Sequence, residues 1–307
     1  MSDIIIRTDG LSKLYKQHRA LDNINISLRR GEIYGFIGQN GAGKTTLFRL
    51  LTGLSFPTHG TIEIFGETGE RRLAAARKRI GSVIERPVLY PSMTARQNLE
   101  VLQIGKGVPD KKDIDRTLEL VNLTDTGRKK AKDFSLGMKQ RLALAGALLC
   151  SPDILILDEP TNGLDPVNIV ELRLLLKRLC EERGTTILLS SHILSELYQL
   201  ATQYFIVHQG RIIEELSLPQ LDEKCKRAIR IRVNDAALGA AALERDLQTT
   251  NFRVLPNQTI MLYEYVEQTE RVARVLADSG LAISEISLQG DSLEDYFVRT
   301  IGGDVHD

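Results

Sequence analysis

From Glu32 to Leu54 the chain reads EIYGFI, GQNGAGKT and TLFRLLTGL in succession, and that order admits few folds. The first run is short, apolar and bounded by Gly31 and Gly38, which predicts a buried strand. The last, Thr46 to Leu54, has the spacing of a helix. A glycine loop between a strand and a helix has a physical use. Glycines let backbone N–H groups turn inward, and the helix start adds its positive end, so the loop can cradle phosphates. Gly38, Asn40, Gly41 and Gly43 would form that cradle, with Thr46 behind it. Lys44 would reach the outer phosphates, and the Thr45 hydroxyl would ligate Mg²⁺.

Asp153 to Leu157 (DILIL) reads as a second buried strand, and it ends at Asp158-Glu159-Pro160. A strand that stops at two carboxylates delivers both to the carboxyl edge of a sheet, where α/β proteins bind ligands. Asp158 would then stand with Thr45 at the metal, and Glu159 would be the base that polarises an attacking water. Upstream, FSLGMKQR places Ser135 and Gly137 at a helix start, a hydroxyl and an unobstructed backbone N–H. Downstream, SSH follows the apolar run Thr186 to Leu189.

Composition excludes more than it selects. Forty basic and forty acidic residues cancel, so charge points to neither nucleic acid nor an anionic surface. No run approaches the roughly 18 apolar residues of a membrane span, and MSDIIIRTDG has no secretory pattern. Cys150, Cys180 and Cys225 are isolated, as incidental thiols of a reducing compartment would be.

Taken together, these segments resemble the nucleotide-binding subunit of an ABC transporter over about residues 3 to 220. The resemblance implies a P-loop NTPase fold of the α/β class. Such a fold has a RecA-like core, an antiparallel β subdomain and a helical subdomain, here with a small C-terminal α+β domain. It implies ATP and Mg²⁺, with Glu159, His192 and Lys44 as catalytic residues and His192 on the γ-phosphate. Tyr15 in LSKLYKQHRAL is similar to the aromatic that stacks on adenine. Ser135-Leu136-Gly137-Met138 resembles the signature loop that reaches the ATP of an opposing subunit, and Asn162-Gly163-Leu164-Asp165 the D-loop that communicates across the dimer.

In IGSVIERPVLYPSMT the position where the family carries a glutamine holds Glu85. A carboxylate there either joins Thr45 and Asp158 as a metal ligand or is a substitution without mechanistic effect. Glu85, Pro87, the Tyr90-Pro91 turn and SLGMKQR together resemble the ATPase subunits of bacitracin-resistance and lantibiotic-immunity exporters. The implied partners are a second copy or a paired ABC subunit, plus an integral membrane permease, with no nucleic acid. The implied location is peripheral, on the cytoplasmic face of the cell membrane. The cargo would be an antimicrobial peptide or another drug, with lipid or cell-envelope glycan as alternatives. A soluble ABC ATPase acting on ribosomes or DNA fits less well, because one cassette and no sustained heptads are present. A regulatory module without hydrolysis would not need Lys44, Asp158, Glu159 and His192.

The domain expectation is a nucleotide-binding domain over 1–220, its helical subdomain at about 86–150, and an accessory domain over 221–307. Helical spacing marks Leu99–Ile104, Ile114–Val121 and Leu142–Leu149, while Ile62–Gly66 reads as a strand. Val88, Leu89 and Tyr90 could dock a membrane partner or pack on the helical insert. In the tail, Ile229, Ile231 and Val233 alternate with arginines as in a half-buried strand. A helix (Ala236–Leu247), strands at Phe252–Leu255 and Ile260–Tyr263, a helix (Gln268–Ser279), a strand (Ile283–Leu288) and a closing helix (Ser292–Ile301) follow. The basic run Lys224–Arg232 could hold an anionic surface or be a solvated face.

Overall fold

The computed structural model describes residues 3–85, 88–107, 112–225, 227–290 and 292–302. Pro87 of the expected turn and Lys226 of the basic run lie outside them. The chain divides into two compact units, Met1–Leu218 and Pro219–Asp307. The first contains β1 (Ile4–Tyr15), β2 (His18–Arg29), β3 (Ile33–Ile37), α1 (Lys44–Thr52), β4 (His59–Ile64), α2 (Glu70–Arg77), β5 (Ile80–Val83) and α3 (Ala95–Lys106). It continues with α4 (Lys112–Leu120), α5 (Leu136–Leu148), β6 (Ile154–Leu157), α6 (Pro166–Arg183), β7 (Thr186–Ser191), α7 (Leu194–Tyr198), β8 (Gln203–His208) and β9 (Arg211–Ser217).

Six strands form one sheet in the order β5-β6-β7-β3-β8-β9, parallel except for β9. Every residue of β3, β6 and β7 is buried. That explains their unbroken apolar runs, because a parallel sheet is covered on both faces. A second, antiparallel sheet runs β2-β1-β4. Phe36 of β3 stacks on Phe205 of β8 at 4.9 Å between centroids and meets Phe48 of α1 edge-on at 5.3 Å. This aromatic cluster pins α1 to the strand before it and so fixes the loop between them.

The helix expected over Thr46 to Leu54 runs instead from Lys44 to Thr52. Gly53 ends it in the left-handed region at φ 81°, its N–H donating to the Leu50 carbonyl, as helix stops commonly do. Leu54 is therefore outside the helix and exposed. The strand expected at Ile62 to Gly66 is β4, which stops at Ile64, because Phe65 and Gly66 both turn to positive φ. α3 opens on a reciprocal capping box between Thr94 and Gln97. Val88 and Tyr90 are exposed, whereas Leu89 is half-buried.

The second unit begins one residue into α8 (Leu218–Lys224) and holds β10 (Ala228–Val233), α9 (Ala236–Leu247), β11 (Phe252–Leu255), β12 (Thr259–Leu262), α10 (Thr269–Asp278), β13 (Ile283–Gln289) and α11 (Leu293–Thr300). Its antiparallel sheet has the order β11-β12-β10-β13. Ile229, Ile231, Ile260 and Leu262 pack with Leu243, Val272 and Leu276 of the helices in one core. The alternate residues Arg230 and Arg232 lie 3.8 and 3.6 Å from the Glu285 carboxylate, and Arg227 pairs with Glu267. Much of the basic run is thus neutralised within its own unit.

Candidate active site

Three neighbouring strands, β6, β7 and β3, end at the same edge, and Asp158, Glu159, His192 and the loop from Gly38 leave from there. Gly38 follows β3 directly and donates its N–H to the Ser191 carbonyl of β7 at 3.3 Å. A Cβ on Gly38 would lie 2.4 Å from the Val207 carbonyl oxygen, so only glycine lets the loop pass this close to β8. Gly43 stands at φ 113° against the Ala20 carbonyl, whereas Gly41, at φ 84°, faces open space. α1 opens at Gly43 without a side-chain cap, which leaves the first-turn N–H groups to the loop.

Lys44 is 5% exposed and donates to the Gly38 carbonyl at 2.6 Å and the Gln39 carbonyl at 3.3 Å. Its Nζ lies 3.3 Å from Glu159 Oε1. The other Glu159 oxygen is 2.9 Å from His192 Nδ1. Thr45 donates its hydroxyl to Asp158 Oδ2 at 2.8 Å, and Ser190 donates to Asp158 Oδ1 at 2.7 Å. Ser190 Oγ also accepts the Glu159 N–H at 2.9 Å, holding that residue at φ 48°. Thr45 and Asp158 put hard oxygens side by side, donors of the kind Mg²⁺ takes. Among the described residues no group of three or more His, Cys, Asp or Glu is gathered to hold a metal. Tyr15, Asn40, Gly41, Gly43, Lys44, Thr45, Thr46 and Glu159 line one open cleft. Tyr15 is 40% exposed at its mouth, with Lys13 Nζ 4.9 Å from the ring centroid.

Glu85 does not join Thr45 and Asp158 by a bond. It lines a cavity with Asp158 and Glu159, but its carboxylate is paired with the Arg49 guanidinium. Ser135, Gly137 and Asp165 form a separate constellation. Ser135 caps α5, its Oγ accepting the Met138 N–H at 3.2 Å. Asp165 caps α6, accepting the Asn168 N–H at 2.8 Å and the Asn168 side-chain N–H at 2.6 Å. The Asn168 backbone N–H holds the Asp165 carboxyl below the usual carboxylate range. Asn168 also packs against Gly137, where an added Cβ would stand 3.0 Å away, and accepts from Arg141. The two loops are therefore joined through Asn168.

Residues 21–162 match the ABC transporter family. The bacitracin transport ATP-binding protein BcrA of Bacillus licheniformis is 42% identical over 299 residues, 97% of this chain and 98% of that one. The chain belongs to the ABC transporter family. The lantibiotic transport ATP-binding protein SrtF of Streptococcus pyogenes is 43% identical over 211 residues, 69% of this chain and 90% of its own length. Among solved structures, a dimeric post-hydrolysis state of the ATP-binding cassette MJ0796 with ADP and Pi superposes with a TM-score of 0.64. It is 28% identical and covers 70% of this chain and 99% of that one.

This ABC chain is an ATP-binding and ATP-hydrolysing subunit of the kind that dimerises and works with a membrane permease. No helix among its described residues is long and apolar enough to cross a membrane. Three residues of the ABC site escaped the sequence reading. Ser190 had a signal, since two serines close a wholly buried strand and a buried hydroxyl needs partners. Asn168 had a weaker one, its place three residues after a capping aspartate. Arg49 had only its position, one turn along α1 from Thr45.

Proposed function

We propose that two copies of this chain, or this chain and a paired ABC subunit, close around ATP and Mg²⁺ and so power a separate permease that exports an antimicrobial peptide or related drug. The hydrogen-bonded linkage of Thr45 to Asp158 and of Lys44 and His192 to Glu159, at one edge of the sheet, is the observation that supports the ATPase mechanism most directly. Names such as bacitracin transport and lantibiotic transport, carried by relatives that align along most of their length, support the cargo class.

In this reading Tyr15 packs on the adenine and the 38–45 loop surrounds the phosphates through backbone N–H groups. Lys44 exchanges its carbonyl and Glu159 contacts for phosphate oxygens. Thr45 and Asp158 would hold Mg²⁺, whose charge when bound would offset that of the phosphates. Glu159, released by Lys44, orients a water and takes its proton, while His192 steadies the opposite oxygen. Glu85 lines the neighbouring cavity with Asp158 and Glu159 and would reach the metal only by leaving Arg49. Gly137 and Asp165 are joined through Asn168, with Ser135 capping the helix that holds Gly137, as a face offered to a second subunit would be. The chain would work at the cytoplasmic face of the membrane, held there by the permease.

The test is hydrolysis by the purified chain against its Glu159→Gln variant. Loss of the base is expected to slow hydrolysis by roughly 10²–10⁴-fold while nucleotide binding persists. Undiminished turnover would remove Glu159 from the mechanism. Co-purification with an integral membrane protein, and stimulation of ATPase activity by a cationic antimicrobial peptide, would support the transport arm. Recovery with a ribosomal complex instead would sink it.

A further inference from the structure

β5 and β6 run parallel, with Val83 opposite Leu157 and the Asp158 N–H donating to the Val83 carbonyl at 2.9 Å. Two residues beyond Val83 and Leu157 stand Glu85 and Glu159, and both have positive φ, 61° and 48°. Neighbouring strands therefore leave the sheet by the same left-handed step, and each presents a glutamate to the cavity that Asp158 also lines. Three carboxylates at the edge of a site for a polyanion repel it unless each is offset.

One of them is held by hydroxyls and one has a cation beside it. Asp158 accepts from Thr45 and Ser190, and Glu159 lies between Lys44 and His192. For the third, the cation is Arg49, four residues after Thr45 on α1, its guanidinium on Glu85. The two side chains are 38% and 56% exposed. Ion pairs this exposed contribute little to stability, so the pair matters chiefly for the charge it presents to the cavity shared with Asp158 and Glu159. An arginine stays charged at any working pH, so the offset is permanent.

We infer that Arg49 is a positioning residue for ATP binding that acts through Glu85, neutralising its carboxylate and holding it off the phosphates. This deepens the nucleotide-site reading and rests on it. Breaking the pair on either side changes the local charge by one unit, with opposite signs. Arg49→Gln frees a negative charge, Glu85→Gln frees a positive one, and the double variant restores balance.

The test is equilibrium binding of a fluorescent ATP analogue to the full chain in EDTA, with KM and kcat for Mg-ATP measured alongside. Without metal, the charge effect is read apart from any metal ligation by Glu85. Arg49→Gln is expected to weaken metal-free binding about tenfold, the scale of one unit charge across a partly solvated cleft. KM should rise with a smaller change in kcat. Glu85→Gln should tighten metal-free binding several-fold, and Arg49→Gln with Glu85→Gln should return to within about twofold of wild type. Arg49→Lys, which keeps the charge, should bind as wild type does. A double variant as weak as Arg49→Gln would overturn the inference, because Arg49 would then act without Glu85. If Arg49→Gln does not fold, Glu85→Gln decides alone: weaker metal-free binding refutes. Failure of wild type to bind the analogue would instead overturn the nucleotide-site reading.

Discussion

Ser190 is the most demanding single position at the site. Its hydroxyl, wholly buried at the end of β7, donates to Asp158 and accepts from the Glu159 backbone. Ser190→Ala removes a hydrogen bond to a charged group, typically about 1.5–3 kcal/mol, and strands a backbone N–H, typically about 1–3 kcal/mol. The two share one atom and do not add in full, so a loss of about 2–4 kcal/mol is expected. For a unit of this size each kcal/mol moves Tm by roughly 2–4 °C, so the Tm followed by circular dichroism should fall by about 4–16 °C. The catalytic consequence is separate. Glu159 occupies a left-handed conformation that ordinary residues hold at a cost of about 1–3 kcal/mol, and Ser190 is its anchor. Without the anchor the carboxylate loses its aim, and hydrolysis should drop by at least about tenfold even at temperatures where the variant is fully folded. A Tm within 2 °C of wild type together with unchanged turnover would refute the idea that Ser190 sets this geometry.

Two further outcomes follow from the packing and charge of the same unit. Gly38→Ala should abolish nucleotide binding or folding, because its Cβ meets a backbone oxygen of β8 at 2.4 Å, whereas Gly41→Ala, in open space, should cost only its left-handed strain of about 1–2 kcal/mol; equal Tm losses in the two would refute the packing argument. Asp153 is held below the usual carboxylate range by the Arg79 guanidinium, with Arg30 adding to it against the opposing effect of burial. Its contribution is present above the unfolded-state value near about pH 4 and is lost as pH falls through the lower folded one. Asp153→Asn should therefore reduce Tm at neutral pH and converge with wild type in acid, and parallel Tm curves down to about pH 2.5 would contradict this.

Much of the fold was legible because its central strands are buried on both faces and so read as plain apolar runs between glycines or acidic residues. The runs at Glu32–Ile37, Asp153–Leu157 and Thr186–Leu189 needed no long-range information. Thr45 and Asp158 could also be named from their own segments, although 113 residues separate them. Pairings that depend on strand register could not. Nothing local says that Ser190 lies opposite Asp158, because that follows from β6 and β7 being neighbours. The attachment of Glu85 to Arg49 depends on how α1 stands over the end of β5. The misplaced start of α1 has a local cause, since Gly43 is itself the cap and Lys44 already has helical geometry. Ser135 was legible as a helix start, and the structure shows it capping α5, its Oγ accepting the Met138 N–H.

The strand order β6-β7-β3 brings three stretches, 38–45, 158–159 and 190–192, to one edge. A ligand held by all three recognises only the assembled sheet and has no comparable affinity for the unfolded chain. Its binding is then thermodynamically linked to folding and adds RT ln(1 + [L]/Kd), about 2.7 kcal/mol at a concentration one hundred times Kd. Nucleotide supply thus becomes a term in the persistence of this unit as well as in its turnover. A cell depleted of ATP would lose the protein's protection against unfolding along with its activity.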